Sequence, residues 1–370
     1  MALQDEINEM ARVIHTDGYP MSIGELASIY KDKELDIHPE FQRFFRWDST
    51  QKSNLIESIL LGIPIPPIFV SQNEKNMWDV IDGLQRLSTI FEFMGILRDK
   101  EEKIQDPSEL TKTKFLPSLD GKYWDKNDDE ENSLTVDQRL LIKRSKLDIK
   151  IIKTSSSPKA KYDLFQRLNT GGTHLSPQEI RNCLLIMINK VFFENLNLMN
   201  EYSHFRNCIP LSDNNLEQQV DMEFVVRFIV SRHCNFENIN KDENLHEFLT
   251  DKITEIAQNE EFDIEAEKQV FEETFEYLNN LLGEDSFRKY NSEKEKFIGP
   301  VLISGFEVVV LGISKNIEYI KSKTGSCVKE MIQGIYDCQE FRNSVAHGVR
   351  AVDRFKRLSL FSLERFSHED

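Results

Sequence analysis

Apolar residues recur at helical intervals in MSIGELASIY, where Ile23, Leu26 and Ile29 share a face. A second helix is expected to open at Asp48 or Ser49. Asp48 followed three residues later by Gln51 has the form of a capping box, Leu55/Ile59 and Ile56/Leu60 supply a buried stripe, and Gly62 with Pro64 closes the helix. IPIPPIFV then leads into a strand, WDVID reads as a second short strand, and Gly83 begins the turn into another helix. In that helix Leu84, Leu87, Ile90, Phe91 and Met94 fall on one face, as packing on a sheet requires. Residues 99–140 change character: Asp, Glu, Lys and Asn dominate, as in KNDDEENS, and predict an exposed insertion or loop. LDIKIIKT (147–154) alternates β-branched residues and predicts a strand. A helix through AKYDLFQRLN leads into the turn TGGTHL. The next helix opens with Ser176 as N-cap, Pro177 in first position and Glu179 closing a capping box.

From about residue 183 the pattern is almost wholly helical, with three- and four-residue apolar spacing in DMEFVVRFIV, ENLHEFLTDKITEIA, KQVFEETFEYLNNLL and PVLISGFEVVVLGI. The fold class expected is therefore α+β: a small sheet-and-helix domain over residues 1–190, with 99–140 as its polar insertion, followed by a mainly α-helical domain over 191–370.

Composition narrows the function classes. A chain of 370 residues, 39% hydrophobic and 29% charged, is ordinary globular and allows about two or three domains. No run approaches the ~18 apolar residues of a membrane span. MALQDEINEM carries acids where a signal peptide needs a basic and then an apolar region, so a cytoplasmic protein without membrane association is expected. The five cysteines are scattered with no Cys-x-x-Cys pair, against both a disulfide framework and a zinc ribbon. A net charge of −17 argues against indiscriminate coating of nucleic acid, and a DNA partner would have to meet a local basic patch.

Three constellations could carry chemistry. Asp82-Gly83-Leu84-Gln85-Arg86 sits between a strand end and a helix start, where backbone N–H groups and the positive helix end suit a phosphate or carboxylate. Gln85 and Arg86 lie off the apolar stripe and are free to face a ligand, and Asp82 could hold a hydrated Mg²⁺. The plainer alternative is that Asp82 caps the helix and Arg86 makes an ion pair. Arg43 and Arg46, among Phe41, Phe44 and Trp47, could grip a phosphate, or could snorkel outward from an aromatic core. Arg167 and Asn169 run into the Gly171-Gly172 turn, which could add donors to an anion pocket or simply end a helix.

PEFQRFFRW, WDVIDGLQRLSTI and FQRLNTGGTHLSPQEIRN, in this order, resemble the family forming the N-terminal, GmrS-type domain of GmrSD modification-dependent restriction enzymes. The resemblance is strong over about residues 20–190 and weaker through EFVVRF and FIGPVLISGFEVVVLGI. It implies a core similar to the ParB/sulfiredoxin fold and a role in bacterial anti-phage defence, sensing modified DNA and coupling it to turnover of a nucleoside triphosphate with Mg²⁺. The family's Asp-Gly-Gln-Gln-Arg motif falls on Asp82 to Arg86, which implies catalytic roles for Asp82, Gln85 and Arg86; Leu84 departs from its first Gln. Nucleotide-binding roles are implied for Arg43, Gly83, Arg167, Asn169 and Gly172. Many members carry an HNH-type nuclease module. Beyond residue 190 the histidines are His204, His233, His246, His347 and His368, without an Asp-His pair, so such a module is not expected and a separate nuclease or effector subunit would do any cutting.

Two C-terminal patterns offer other chemistry. Arg342 and His347 fit the Arg-x4-His form of HEPN ribonucleases. Arg350, Arg354 and Arg357 fall on one helical face with Lys356 adjacent, either as a phosphate-backbone contact or as a face paired with Asp353 and Glu364. The leading expectation is a nucleotide-dependent DNA sensor; the alternatives are a non-enzymatic DNA- or protein-binding module and an HEPN-like ribonuclease.

Overall fold

The structure is a computed structural model that describes residues 3, 16–37, 47–72, 75–99, 101–126, 129–153, 176–240 and 243–367. The chain divides into two units, Met1–Thr173 and His174–Asp370.

The first unit is built on a five-stranded mixed sheet. Strands β1 (Thr16–Ser22), β2 (Leu35–Asp36), β3 (Ile68–Gln72), β4 (Trp78–Asp82) and β5 (Lys146–Ile152) lie in the order β1-β5-β3-β4-β2. Pairing is antiparallel for β1 with β5 and β3 with β4, and parallel for β3 with β5 and β2 with β4. The helices are α1 (Ile23–Lys31), α2 (Ser49–Leu61), α3 (Leu84–Phe93) and α4 (Val136–Arg144). The core joins Val70, Val80 and Ile149 of the sheet to Leu26, Ile56 and Phe91 of the helices. Tyr30 stacks on Phe91 with ring centroids 4.5 Å apart, fixing α1 against α3.

The expected helix starts hold. The Asp48–Gln51 capping box is formed, and Gly62 ends α2 in the left-handed region, with φ 68°. Strand β1 has no counterpart in the sequence pattern. TDGYPMS is poor strand material, but it lies on the sheet edge, where Pro20 is tolerated and pairing with β5 supplies the order.

The polar insertion is a correction. Its described residues are folded onto the unit, not held off it. Leu110, Leu119 and Leu134 are buried, and α4 opens inside it on a capping box of Thr135 with Gln138. Glu57 on α2 anchors the segment: its buried carboxylate accepts from Phe115 N and Leu116 N, each at 2.8 Å, and from Thr113 Oγ1. A few leucines and one carboxylate dock a segment whose composition looks like solvent.

The second unit is helical, as expected, with one hairpin within it. Its main helices are α5 (Pro177–Ile188), α6 (Lys190–Glu201), α7 (Val220–His233), α8 (Leu245–Gln258), α9 (Ile264–Leu281), α10 (Ile303–Lys315), α11 (Gln339–Ser344) and α12 (Ala351–Arg365). Strands β6 (Arg288–Asn291) and β7 (Lys296–Val301) form an antiparallel hairpin between α9 and α10. Of PVLISGFEVVVLGI, read as helix from its apolar spacing, Pro300 and Val301 end β7 and the segment from Ile303 onward forms α10 as expected. Helix α5 opens with the predicted cap: Ser176 Oγ accepts from Glu179 N, Glu179 answers the Ser176 N–H, and Pro177 is the first residue.

Helices α7 and α10 run through the core, with Phe224 and Phe306 at 4.5 Å and Phe228 and Phe271 at 5.0 Å. Because α7 is enclosed nearly all round, its charges are buried with it. Arg227 meets Glu223 at 2.6 Å and Glu307 of α10 at 2.5 Å. Burial pushes the Glu307 carboxyl above its ordinary range, although Arg227 and Arg354 oppose the shift.

Candidate functional site

Asp82 is the last residue of β4 and pairs with Phe69 of β3. Gly83 then turns the chain into α3 at φ 97°, a left-handed conformation that glycine adopts without strain. Space imposes the same choice, because a Cβ at this position would lie 2.3 Å from Ile68 Cδ1. Gly83 is itself the N-cap of α3 and, having no side chain, makes no side-chain cap bond, so among the described residues the helix presents backbone N–H groups at its positive end. Asp82 is therefore not the cap.

Asp82 is instead the partner of Arg86. Arg86 Nη2 donates to Asp82 Oδ2 at 2.6 Å, and Nη1 donates to Pro67 O at 3.1 Å and to Pro66 O. The antiparallel pairing of β3 with β4 explains the meeting. It sets the start of β3, just after the two prolines, beside the end of β4. The Arg86 side chain is only 12% exposed against 38% for Asp82, so the guanidinium is a staple across the turn rather than a group reaching into solvent. Leu84 packs on the core and Gln85 is half-buried in the same turn. Deeper in the pair of helices, Lys52 of α2 and Glu92 of α3 meet at 2.7 Å with both side chains largely covered.

Residues 24–186 match the family of the GmrSD restriction endonuclease N-terminal domain. This region of the chain belongs to that family. The GmrSD-type segment contains the Asp82–Arg86 turn and ends within α5, and the family associates the chain with restriction-type defence. No curated protein and no solved structure matches the chain.

Of the other residues singled out in the GmrSD-type segment, Arg43, Arg46, Arg167, Asn169 and Gly172 lie outside the described residues. Asp82, Gly83, Gln85 and Arg86 come together by their succession in one turn. The carbonyls of Pro66 and Pro67 join them, and sequence reasoning missed these. The signal available was the Pro-Pro pair itself, placed where a strand begins.

In the helical unit the arginine stripe is matched by acids. Arg357 pairs with Asp353 at 2.6 Å, Arg354 turns inward to the buried Glu307 at 3.6 Å, and Lys356 Nζ donates to Glu237 O at 3.1 Å. Arg350 is the N-cap residue of α12. Arg342 lies on α11, held by Asp337 at 2.7 Å and by Tyr336 O at 3.1 Å, whereas His347 is exposed in the turn after that helix has ended at Ser344. Among the described residues no group of three or more His, Cys, Asp or Glu side chains could hold a metal ion, and no helix is long and apolar enough to cross a membrane.

Proposed function

We propose that the chain is a nucleotide-dependent regulatory component of a restriction-like defence system, and that its nucleotide site is the turn joining β4 to α3. The observation that carries this is the glycine N-cap of α3 beside the Asp82–Arg86 pair, within a GmrSD-type segment. A phosphate at that turn would meet backbone N–H groups and the positive end of the helix dipole. Gly83, lacking a Cβ, would admit it. Asp82 has one carboxylate oxygen on Arg86, and its other oxygen fits a Mg²⁺ that keeps most of its waters and is held chiefly by the nucleotide phosphates. Such a metal would supply charge neutralisation on the phosphates.

Arg86 in this reading is first a positioning residue. It fixes the turn through Asp82 and the two proline carbonyls, and the further N–H groups of its fork remain for a phosphate oxygen. Gln85 would orient the attacking water. Arg43, Arg167, Asn169 and Gly172 would complete a cationic pocket, and the sheet would be of ParB/sulfiredoxin-like type. The chain would act in the cytoplasm on DNA, modified or not, and pass its signal to a separate nuclease or effector. Phosphoryl transfer depends mainly on positioning and charge stabilisation, which this inventory can provide.

Phosphate release from ATP, GTP, CTP and UTP with Mg²⁺, with and without DNA, tests the proposal on wild type and Asp82→Ala. Turnover that disappears in the variant supports an NTPase switch at this turn. Equal turnover in both proteins would remove Asp82 from it.

A second reading has a specific observation in its favour. Three N–H groups of Arg86 are committed to protein acceptors and Leu84 replaces a glutamine, which together fit a module that binds without hydrolysis. Salt-sensitive DNA binding indifferent to added nucleotide, with no phosphate release, is its expected signature.

A further inference from the structure

A cavity of about 580 Å³ opens in the helical unit between the β6–β7 hairpin and α11. That is within the range of roughly 300–1,000 Å³ usual for small-molecule sites. Its walls are aromatic and braced. Tyr290 of β6 meets Phe297 of β7 edge-on at 5.1 Å, and the buried Phe341 of α11 meets Tyr336 edge-on at 5.4 Å. The ring of Tyr336 is backed by Gly305, where a Cβ would lie 2.7 Å from its hydroxyl.

The rim is polar, and its charges are not all spent. Asp337 accepts from Arg342 at 2.7 Å and from Ser292 Oγ, so one carboxylate both aims the guanidinium and ties the hairpin turn down. Lys289, also lining the cavity, makes no ion pair among the described residues. Its only unspent counter-charge in the lining is the exposed Glu293. Asn291 and Ser304 add donors and acceptors beside the rings.

We propose that this cavity is a second site, distinct from the Asp82–Arg86 turn, that binds a single nucleotide. The planar base would lie against Tyr290 and Phe341, its heteroatoms would meet Asn291 and Ser304, and its phosphate would sit between Lys289 and Arg342. Rings alone would suit any apolar ligand, and cations alone any anion. A braced aromatic wall with a two-cation rim in a half-open cavity suits a flat heterocycle carrying a phosphate. Such a nucleotide can be free in solution or be one unit of a single strand, and the test separates the two.

The test is calorimetric titration of the full chain with 5′-thymidine monophosphate, thymidine, inorganic phosphate and a short 5′-phosphorylated oligothymidylate. The monophosphate or the oligonucleotide is expected to fill one site in the helical unit, and thymidine or phosphate to bind there at least tenfold more weakly. The tighter of the first two identifies the source. Lys289→Gln, at an exposed side chain whose loss leaves no buried partner, is expected to weaken binding about tenfold, and Glu293→Gln to strengthen it. Cross-linking of 5-bromo-2′-deoxyuridine monophosphate is expected to label the peptide containing Tyr290 or Phe341. The proposal is overturned by absence of binding at millimolar ligand, by binding indifferent to Lys289→Gln, or by absence of any cross-link in the helical unit. Binding abolished by Asp82→Asn alone would assign the nucleotide to the other site and overturn it equally.

Discussion

Arg86 and Asp82 face each other across the Gly83 turn at 2.6 Å, and the same guanidinium holds the carbonyls of Pro66 and Pro67. One side chain thus closes the end of β4, the start of β3 and the first turn of α3 into a single rigid corner. Any ligand that binds the α3 N-terminus meets a turn already set in place, which lowers the ordering cost of binding.

Arg86→Ala removes three hydrogen bonds and leaves a carboxylate and two carbonyls to find water. A loss of about 1–3 kcal/mol is expected from orphaning such groups. Arg86→Lys keeps the charge but not the planar fork, and is expected to recover less than half of it. All three tryptophans, Trp47, Trp78 and Trp124, belong to the N-terminal unit, so urea unfolding followed by tryptophan fluorescence reads this change. A midpoint unchanged in both variants would show that the staple contributes nothing to stability.

Gly83→Ala meets two obstacles, a φ of 97° and the Ile68 Cδ1 atom 2.3 Å from the new Cβ. Strain at such a position costs about 1–3 kcal/mol before the clash is counted. Ile68→Ala in the same chain removes the clashing methyl but not the dihedral strain. Measured by double-mutant cycle, the pair is expected to couple favourably, with Gly83→Ala costing less in the Ile68→Ala background. Strict additivity would mean that only the dihedral matters.

These residues also show how far the sequence could be read. Asp48, Gly62 and Ser176 gave the helix boundaries because capping is local chemistry, complete within four residues. The stripe Leu87, Ile90 and Phe91 gave the buried face of α3 for the same reason. What escaped was whatever depends on a distant partner. Strand β1 is ordered by β5, more than a hundred residues away, and Pro66 and Pro67 reach Arg86 only through sheet pairing. The polarity of residues 99–140 concealed that Glu57 on α2 satisfies their backbone. Arg354 looked like a surface cation until the buried Glu307 was placed beside it.

Glu57 supplies a pH prediction. Burial alone would raise its carboxyl, but the Thr113 hydroxyl and the N–H groups of Phe115 and Leu116 outweigh it and hold the group below its ordinary value. A lowered value in the folded protein stabilises above the unfolded carboxyl's range of about 4.3, and the stabilisation fades as pH falls through the lower, folded value. Glu57→Gln is expected to reduce that acid-side dependence and to loosen residues 110–120. Limited proteolysis in this segment at neutral pH, faster in the variant than in wild type, is the check. Equal cleavage would show that the leucines dock the segment without the carboxylate.

Arg227 carries the last prediction. It is the common partner of Glu223 and Glu307, with its own side chain 4% exposed and that of Glu307 1% exposed. Arg227→Met leaves Glu223 and Glu307 without their shared cation inside the helical unit, Glu307 keeping only the longer contact to Arg354 at 3.6 Å. Breaking one side of a buried ion pair costs about 3–5 kcal/mol, because the remaining charge keeps its desolvation penalty and loses its compensation. If that account is right, the damage lies in the orphaned charges rather than in lost packing. Adding Glu223→Gln and Glu307→Gln to Arg227→Met is then expected to return more than half of the lost stability, measured by circular dichroism in guanidinium chloride. A triple variant no more stable than Arg227→Met would instead assign the loss to the shape of the arginine, wedged between α7 and α10.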